Sequence, residues 1–213
     1  MKMKYRAILF DLDGVICHTD QYHYQAWKTI ADELGINFDE EINNRLRGIG
    51  RMKSLEIILE KNDKNYTDDE KNRIVYQKNE IYKKLLLQMS AADLSKEVKE
   101  TLIKLKQMGL RLAIGSSSKN AGIILRQIGL EYFFDAVSDG NLIQKSKPDP
   151  EVFLKASEMV GVKPKDCLVV EDAKAGVEAA AAAGMDCAAI GDATKSNLAA
   201  YNLYSFSDLL TVT

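Results

Sequence analysis

Ala7-Ile8-Leu9-Phe10-Asp11-Leu12-Asp13-Gly14 is an apolar run that opens directly into two carboxylates and a glycine. A short apolar run bounded by a turn signal has the form of a strand buried on both faces of a parallel sheet. In an open α/β sheet the ligand crevice lies beyond the carboxyl ends of the strands, so Asp11 and Asp13 stand where a ligand binds. Residues 112–115, 168–170 and 188–190 have the same form, and each runs into polar or glycine residues. Helical spacing fills the intervals. Val98, Leu102, Leu105 and Met108 precede Gly109, and residues 123–128 precede Gly129. Asp149-Pro150 reads as an N-cap followed by a first-turn proline, with Phe153, Ala156 and Met159 continuing towards Gly161. The alanine-rich stretch 177–183 makes a further helix, ending at Gly184. Strand and helix alternate as in a doubly wound α/β fold.

Between the first strand and the next lie roughly ninety residues with no convincing strand, and with helical patterns at 24–34, 54–59 and 74–87. The expected architecture is a Rossmann-like parallel-sheet core, residues 1–17 and 92–213, with a small all-helical cap, residues 18–91, inserted after the first strand. Leaving the sheet at that point, the cap hangs over the crevice and acts as a lid.

The chain has 213 residues, 46% of them hydrophobic and 28% charged, which suits one core with an accessory lobe. Its 29 basic side chains nearly balance 31 acidic ones, leaving no broad cationic field for a nucleic acid. The basic start Met1-Lys2-Met3-Lys4-Tyr5-Arg6 precedes an apolar run too short for a signal-peptide core or a membrane span, so a cytoplasmic protein is expected. Cys17, Cys167 and Cys187 are odd in number and lack C-x-x-C spacing, which suits reduced, packed thiols. His18 and His23 are the only histidines, and they exclude a histidine-rich metal site.

Asp11 can attack phosphorus, since an acyl phosphate stays reactive and divides one hard displacement into two easier ones. Asp13 can deliver or accept the substrate proton. Ser116-Ser117-Ser118-Lys119-Asn120 offers hydroxyls and backbone donors at a helix start, a phosphate cradle or simply a capped helix. Lys147, in Lys147-Pro148-Asp149-Pro150, is either a charge-neutralising cation or a solvated lysine. Glu171-Asp172 adds oxygen donors that magnesium accepts alongside Asp11, unless these acids only cap the next helix. Four such elements in order, three at strand ends and one at a helix start, favour the chemical reading.

These four elements resemble the ordered motifs of the haloacid dehalogenase superfamily: Asp11-Leu12-Asp13-Gly14, Ser116, Lys147 and Glu171-Asp172. The resemblance implies Asp11 as nucleophile, Asp13 as general acid and base, and Mg2+ held by Asp11, the Asp13 backbone carbonyl and Asp172. The acidic Asp13 favours phosphoryl transfer over dehalogenation. Gly14, Thr19, His23, Ala26 and Trp27, with Arg47-Gly48-Ile49-Gly50-Arg51 and Ser54, look like the β-phosphoglucomutase branch, as do Lys78-Asn79 and the Ser-x-Ser-Lys-Asn segment ending in Lys119 and Asn120. Helix packing accounts for Trp27 without a substrate role, whereas His23 is placed to align Asp13, and Arg51 is the stronger phosphate contact. Two departures stand out: Cys17-His18 replaces a common threonine-aspartate, and Arg47 replaces a lysine.

The branch implies interconversion of β-glucose 1-phosphate and glucose 6-phosphate through β-glucose 1,6-bisphosphate. A phosphatase acting on a sugar phosphate shares the Asp11 step, and a catalytically weak binding protein is the rival of another class. A small-molecule sugar phosphate is the expected partner, with no nucleic acid or membrane, and a monomer is the default.

Overall fold

The computed structural model describes residues 4–60, 62 and 64–213; Met1, Lys2 and Met3 of the basic start lie outside them. Six strands form one parallel sheet: β1 (Ala7–Phe10), β2 (Arg111–Gly115), β3 (Ala136–Ser138), β4 (Cys167–Glu171), β5 (Asp186–Ala189) and β6 (Tyr201–Asn202), in the order β3-β2-β1-β4-β5-β6. Period-2 alternation divides β1 between two layers. Ile8 and Phe10 join the apolar cluster beneath α5 (Lys96–Gln107) and α6 (Ala121–Gln127), while Ala7 and Leu9 join the one beneath α7 (Glu151–Met159) and α8 (Lys174–Ala182). The sheet is therefore covered on both faces, as the sequence reading of a doubly wound α/β fold expects.

Register places the chemistry. Phe10 pairs with both Ile114 and Val170, so Asp11, Gly115-Ser116 and Glu171-Asp172 leave the sheet side by side. Gly115 has a packing reason: a Cβ there would lie 2.6 Å from the Phe153 ring, and that ring sits 4.6 Å from Lys147 Nζ.

Four helices occupy the insertion: α1 (Asp20–Glu33), α2 (Glu40–Asn44), α3 (Arg51–Leu59) and α4 (Asp68–Leu86). Trp27, Ile30, Ala31, Phe38, Leu46, Leu55 and Ile58 form a hydrophobic cluster of their own, and we propose the division at 18–91 on that ground. Among the described residues, no helix is long and apolar enough to cross a membrane. All three cysteines are free and buried.

Several elements differ from the sequence reading. Strands β3 and β6 and helix α2 are additions, as is the terminal helix α9 (Leu209–Val212). Pro150, not Asp149, is the residue before α7, and the Asp149 carboxylate instead accepts the Glu151 N–H at 3.0 Å. The cap is one residue inside the proposed position.

Gly176 packs against the fully buried Glu171, and a methyl at this glycine would overlap the Glu171 carboxylate. Backbone on α8 cannot move far from β4, so Gly176→Ala is expected to cost about 1–3 kcal/mol of stability, measured by urea unfolding at neutral pH.

Candidate functional site

Lys147 is the centre of the core wall. Its ammonium is 1% exposed, donates to Asp11 Oδ1, and donates to Glu171 Oε1 at 2.6 Å. The two carboxylates hold its pKa above the ordinary lysine value, although burial opposes them. The Lys147 backbone N–H donates to Ser117 Oγ at 3.4 Å, which ties the loop after β2 to the same centre. Ser116, at the end of β2, accepts the Ser118 N–H at 3.1 Å, and Ser118 in turn accepts that of Asn120 at 3.2 Å. This chain of short turns aims the segment into the crevice before α6 begins.

Asp11, Glu171 and Asp172 each offer a carboxylate oxygen within 4.8 Å of the others. Hard oxygen donors at that spacing suit Mg2+. Glu171, which the sequence reading set among the ligands, already has both oxygens engaged, Oε1 by Lys147 and Oε2 by the Ala173 N–H at 2.8 Å. Its position anchors Lys147, and leaves Asp11 and Asp172 as the acids with unengaged oxygens facing the crevice. Burial, then Glu171 and Asp11, push the Asp172 carboxyl up to about 8. Such crowding of buried acids is relieved by a bound divalent cation, so the donor set fits the metal. Gly14 belongs to this cradle: its φ is +91°, and a side chain there would overlap the Asp172 carboxylate.

Asp13 faces the crevice beside Asp11. Burial, and then the Asp11 charge, push its carboxyl up to about 7, against the opposing hydrogen bond from Thr19 Oγ1. The two departures noted in the sequence leave this loop intact. Cys17 is buried and its carbonyl accepts the Gly14 N–H at 2.7 Å, while His18 is exposed.

The cap supplies the opposite wall. Lys78 is buried at 1% exposure and meets His23 Nδ1 at 2.9 Å. Its ammonium also lies 4.4 Å from the Tyr82 ring centroid and 5.1 Å from that of Trp27. Burial first, then Arg51, holds the Lys78 pKa well below the ordinary lysine value, and burial with Lys78 and Arg51 depresses His23. Arg51 is depressed by burial. Among the described residues neither Arg51 nor Lys78 has a carboxylate ion-pair partner, so this wall holds anion-seeking charge. Arg47 differs, being paired with Asp20 and Asp192. Ser54 is buried, and its hydroxyl donates to the Gly50 carbonyl at 3.3 Å.

The two walls face each other across a cleft that is open to solvent. Of the residues singled out in the sequence, Asp11, Asp13, His23, Trp27, Arg47, Gly48, Arg51, Ser54, Lys78, Ser116, Ser117, Asn120 and Asp172 line it. Trp27 thus serves two surfaces, since it is also 2% exposed in the cap core. Gly14, Thr19, Lys147 and Glu171 stand behind the lining and hold it. Lys119 is the exception: its side chain is exposed and outside the lining, while its carbonyl accepts the Asn141 side-chain amide at 2.9 Å.

Asp20, Asn79 and Tyr82 complete the site but were not singled out as site residues in the sequence. Asn79 accepts the Asn120 amide at 2.8 Å across the cap-core boundary, and Tyr82 stacks on His23 with centroids 4.1 Å apart. The Lys78-Asn79 pair signalled the first; Asp20 reads only as a helix-start acid and Tyr82 only as core.

The haloacid dehalogenase-like hydrolase family matches residues 5–184. The chain belongs to this family. It is 41% identical over 188 residues to β-phosphoglucomutase of Bacillus subtilis (strain 168), covering 87% of this chain and 83% of that one. It is 32% identical over 183 residues to a phosphorylated carbohydrates phosphatase of Thermotoga maritima, covering 84% and 82% respectively. The crystal structure of β-phosphoglucomutase from Clostridium difficile superposes with a TM-score of 0.91 at 35% identity, covering 96% of this chain and 93% of that one. As a haloacid dehalogenase-type enzyme, the chain is close to phosphomutases and to sugar phosphatases.

His23 carries a pH signature. The depressed folded-state pKa means the unfolded chain binds more protons below the ordinary value of 6.5, so stability is present above that pH and lost below it. Urea unfolding is expected to show a slope from this residue of up to about 1.4 kcal/mol per pH unit below 6.5, absent in His23→Gln.

Proposed function

We propose that the protein is a β-phosphoglucomutase, interconverting β-glucose 1-phosphate and glucose 6-phosphate through an aspartyl phosphate and β-glucose 1,6-bisphosphate. The observation that carries this reading is the distribution of cations on two facing walls. Lys147 and the seryl turns stand beside Asp11 on the core wall, and Arg51 and Lys78 stand on the cap wall. A molecule with two phosphates satisfies both sets at once, and a monophosphate satisfies only one.

Asp11, held by Lys147, attacks phosphorus at an aligned carboxylate oxygen. The bond from phosphorus to the sugar oxygen breaks, and that oxygen takes a proton from Asp13. A carboxyl pushed up to about 7 holds that proton near neutrality. In the reverse sense Asp13 removes the proton of a sugar hydroxyl as its oxygen attacks the phosphoryl group on Asp11. Thr19 fixes Asp13 through its hydrogen bond, and the neutral His23, stacked on Tyr82, keeps Lys78 in place. Lys147 balances charge as it shifts between Asp11 and the transferring oxygens. Asp11 and Asp172, with the Asp13 backbone carbonyl that the family resemblance implies, would hold Mg2+, which would supply Lewis-acid neutralisation of phosphoryl oxygens. The bisphosphate must turn between half-reactions, so the cap has to loosen once in each cycle.

The alternative is hydrolysis of a small phosphorylated sugar, supported by the Thermotoga relative. Supplying β-glucose 1-phosphate, Mg2+ and a trace of β-glucose 1,6-bisphosphate separates the two. Glucose 6-phosphate with little free phosphate is the expected result; stoichiometric phosphate without isomerised sugar moves the assignment to the phosphatase. Asp11→Asn is expected to abolish either product.

Arg51→Ala tests the second anion site. Loss of charge-assisted hydrogen bonds is expected to raise KM for the sugar phosphate about 10- to 100-fold, while Asp11 phosphorylation by acetyl phosphate stays within about threefold.

A further inference from the structure

Arg47 lies in the turn that leads into α3 and Arg51 is the first residue of α3, yet of the two only Arg47 is ion-paired among the described residues. Arg47 Nη2 donates to Asp20 at the start of α1, and Nη1 donates to Asp192 Oδ2 at 3.2 Å. Asp192 lies in the 3-10 turn Gly191–Lys195 that follows β5. Among the described residues, Arg47–Asp192 is the one ion pair that joins the cap to the core.

The surrounding contacts seat this loop at the edge of the cleft, where the cap meets the core. Gly48 has φ +73°, and a Cβ there would lie 3.2 Å from the Ala173 methyl at the head of α8. The Gly50 N–H donates to Ser146 Oγ at 3.1 Å, one residue before Lys147. Residues 47–50 therefore seat directly against the segments that carry Asp172 and Lys147. Asp20 is the inner partner, 38% exposed at its side chain, and fixes the arm; Asp192, 66% exposed, is the outer catch. Lys195 holds the other Asp192 oxygen at 2.9 Å, so the catch is itself pre-positioned by a neighbour on its own turn.

We propose that Arg47 is a closing latch, and that its pair with Asp192 sets how phosphorylated Asp11 divides between a sugar hydroxyl and water. In both outcomes the bond from phosphorus to the Asp11 oxygen breaks and an acceptor oxygen bonds phosphorus. With a sugar acceptor, the hydroxyl proton passes to Asp13 and a sugar phosphate forms. With water, its proton passes to Asp13 and inorganic phosphate forms. A closed cap admits the acceptor that brought its own binding energy and excludes the other. An exposed ion pair biases a closing equilibrium by only about 1.5- to fivefold. That modest strength suits a latch which must release in every cycle, and it makes closure sensitive to salt.

This inference rests on the proposed transfer reaction, and one of its two arms is independent of it. Asp192→Asn alters a surface residue outside the catalytic machinery and leaves Asp20 to hold Arg47. X-ray scattering of the substrate-free protein is expected to show a compact form at low salt that expands in about 1 M salt, and a variant already expanded at low salt. With β-glucose 1-phosphate and a trace of the bisphosphate, the variant is expected to raise the ratio of free phosphate to glucose 6-phosphate about two- to fivefold. Phosphorylation of Asp11 by acetyl phosphate stays at the wild-type rate. Wild-type scattering in the variant overturns the latch, and an expanded variant with an unchanged product ratio overturns its role in acceptor choice. If the wild type makes phosphate alone, the transfer reaction fails, the acceptor-choice part fails with it, and scattering still decides the latch.

Discussion

A lysine ammonium enclosed between two buried carboxylates ties the sheet to its site. Lys147 reaches Asp11 at the end of β1 and Glu171 at the end of β4, so a residue from the loop before α7 closes over the junction of two central strands. Each of the three charges is expensive to bury alone, and each removes that cost for the others. The arrangement fixes the charge state of the site as well as its shape. Beside the Lys147–Asp11 pair, burial and then the Asp11 charge push the Asp13 carboxyl up, so the two acids of one turn sit in different electrostatic surroundings. Surroundings that separate two carboxylates in this way suit the different duties proposed for Asp11 and Asp13.

The cap answers that acidic floor with charge of the opposite sign. Lys78 and Arg51 are held without carboxylate partners, and aromatic faces rather than acids surround the Lys78 ammonium. Burial holds the pKa of both groups down, and an anion beside them favours their charged forms. The cap core and the cleft lining share side chains, so the packing of the cap and the shape of the site are set together. Trp27 makes the connection concrete: it packs in the cap cluster and faces the cleft.

How much of this was legible in the sequence depended on whether a signal was local. Strands β1, β2 and β4 are buried on both faces and so read as apolar runs, and their ends fell beside each other because a parallel register leaves little choice. By contrast β3 is three residues and β6 two, the latter a sheet-edge pair with an exposed asparagine; neither is long enough for periodicity to register. Helix α2 buries none of its five residues, so no apolar stripe marked it. The displacement at Asp149 has a simpler cause. An aspartate before a proline fits the position before a helix, but here its carboxylate caps the Glu151 amide while Pro150, at φ −72° and ψ −6°, already has helical dihedrals. The site motifs were legible because three lie within a few residues of a strand end and the fourth, around Lys147, lies just before a helix. Glu171 was recognised as an acid of the site, yet its engagement with Lys147 and Ala173 needed tertiary geometry.

Arg47 and Arg51 mark the limit of sequence reasoning most clearly. They are the same residue type, four positions apart, and both line the same cleft. Only the fold separates them, by bringing Asp192 to Arg47 from 145 positions away and leaving Arg51 near Lys78, Tyr82 and Glu80 with no ion pair among the described residues. Partnered by two acids, Arg47 has much of its charge already satisfied, and an anion gains less by approaching it. Arg51 keeps its field directed into the cleft. An arginine suits this double pairing, because a planar fork can meet two carboxylates at once where a compact ammonium on a flexible stem holds them less rigidly. The resemblance places a lysine at this position in the family, and the arginine found here is, among the described residues, the one whose ion pair bridges cap and core.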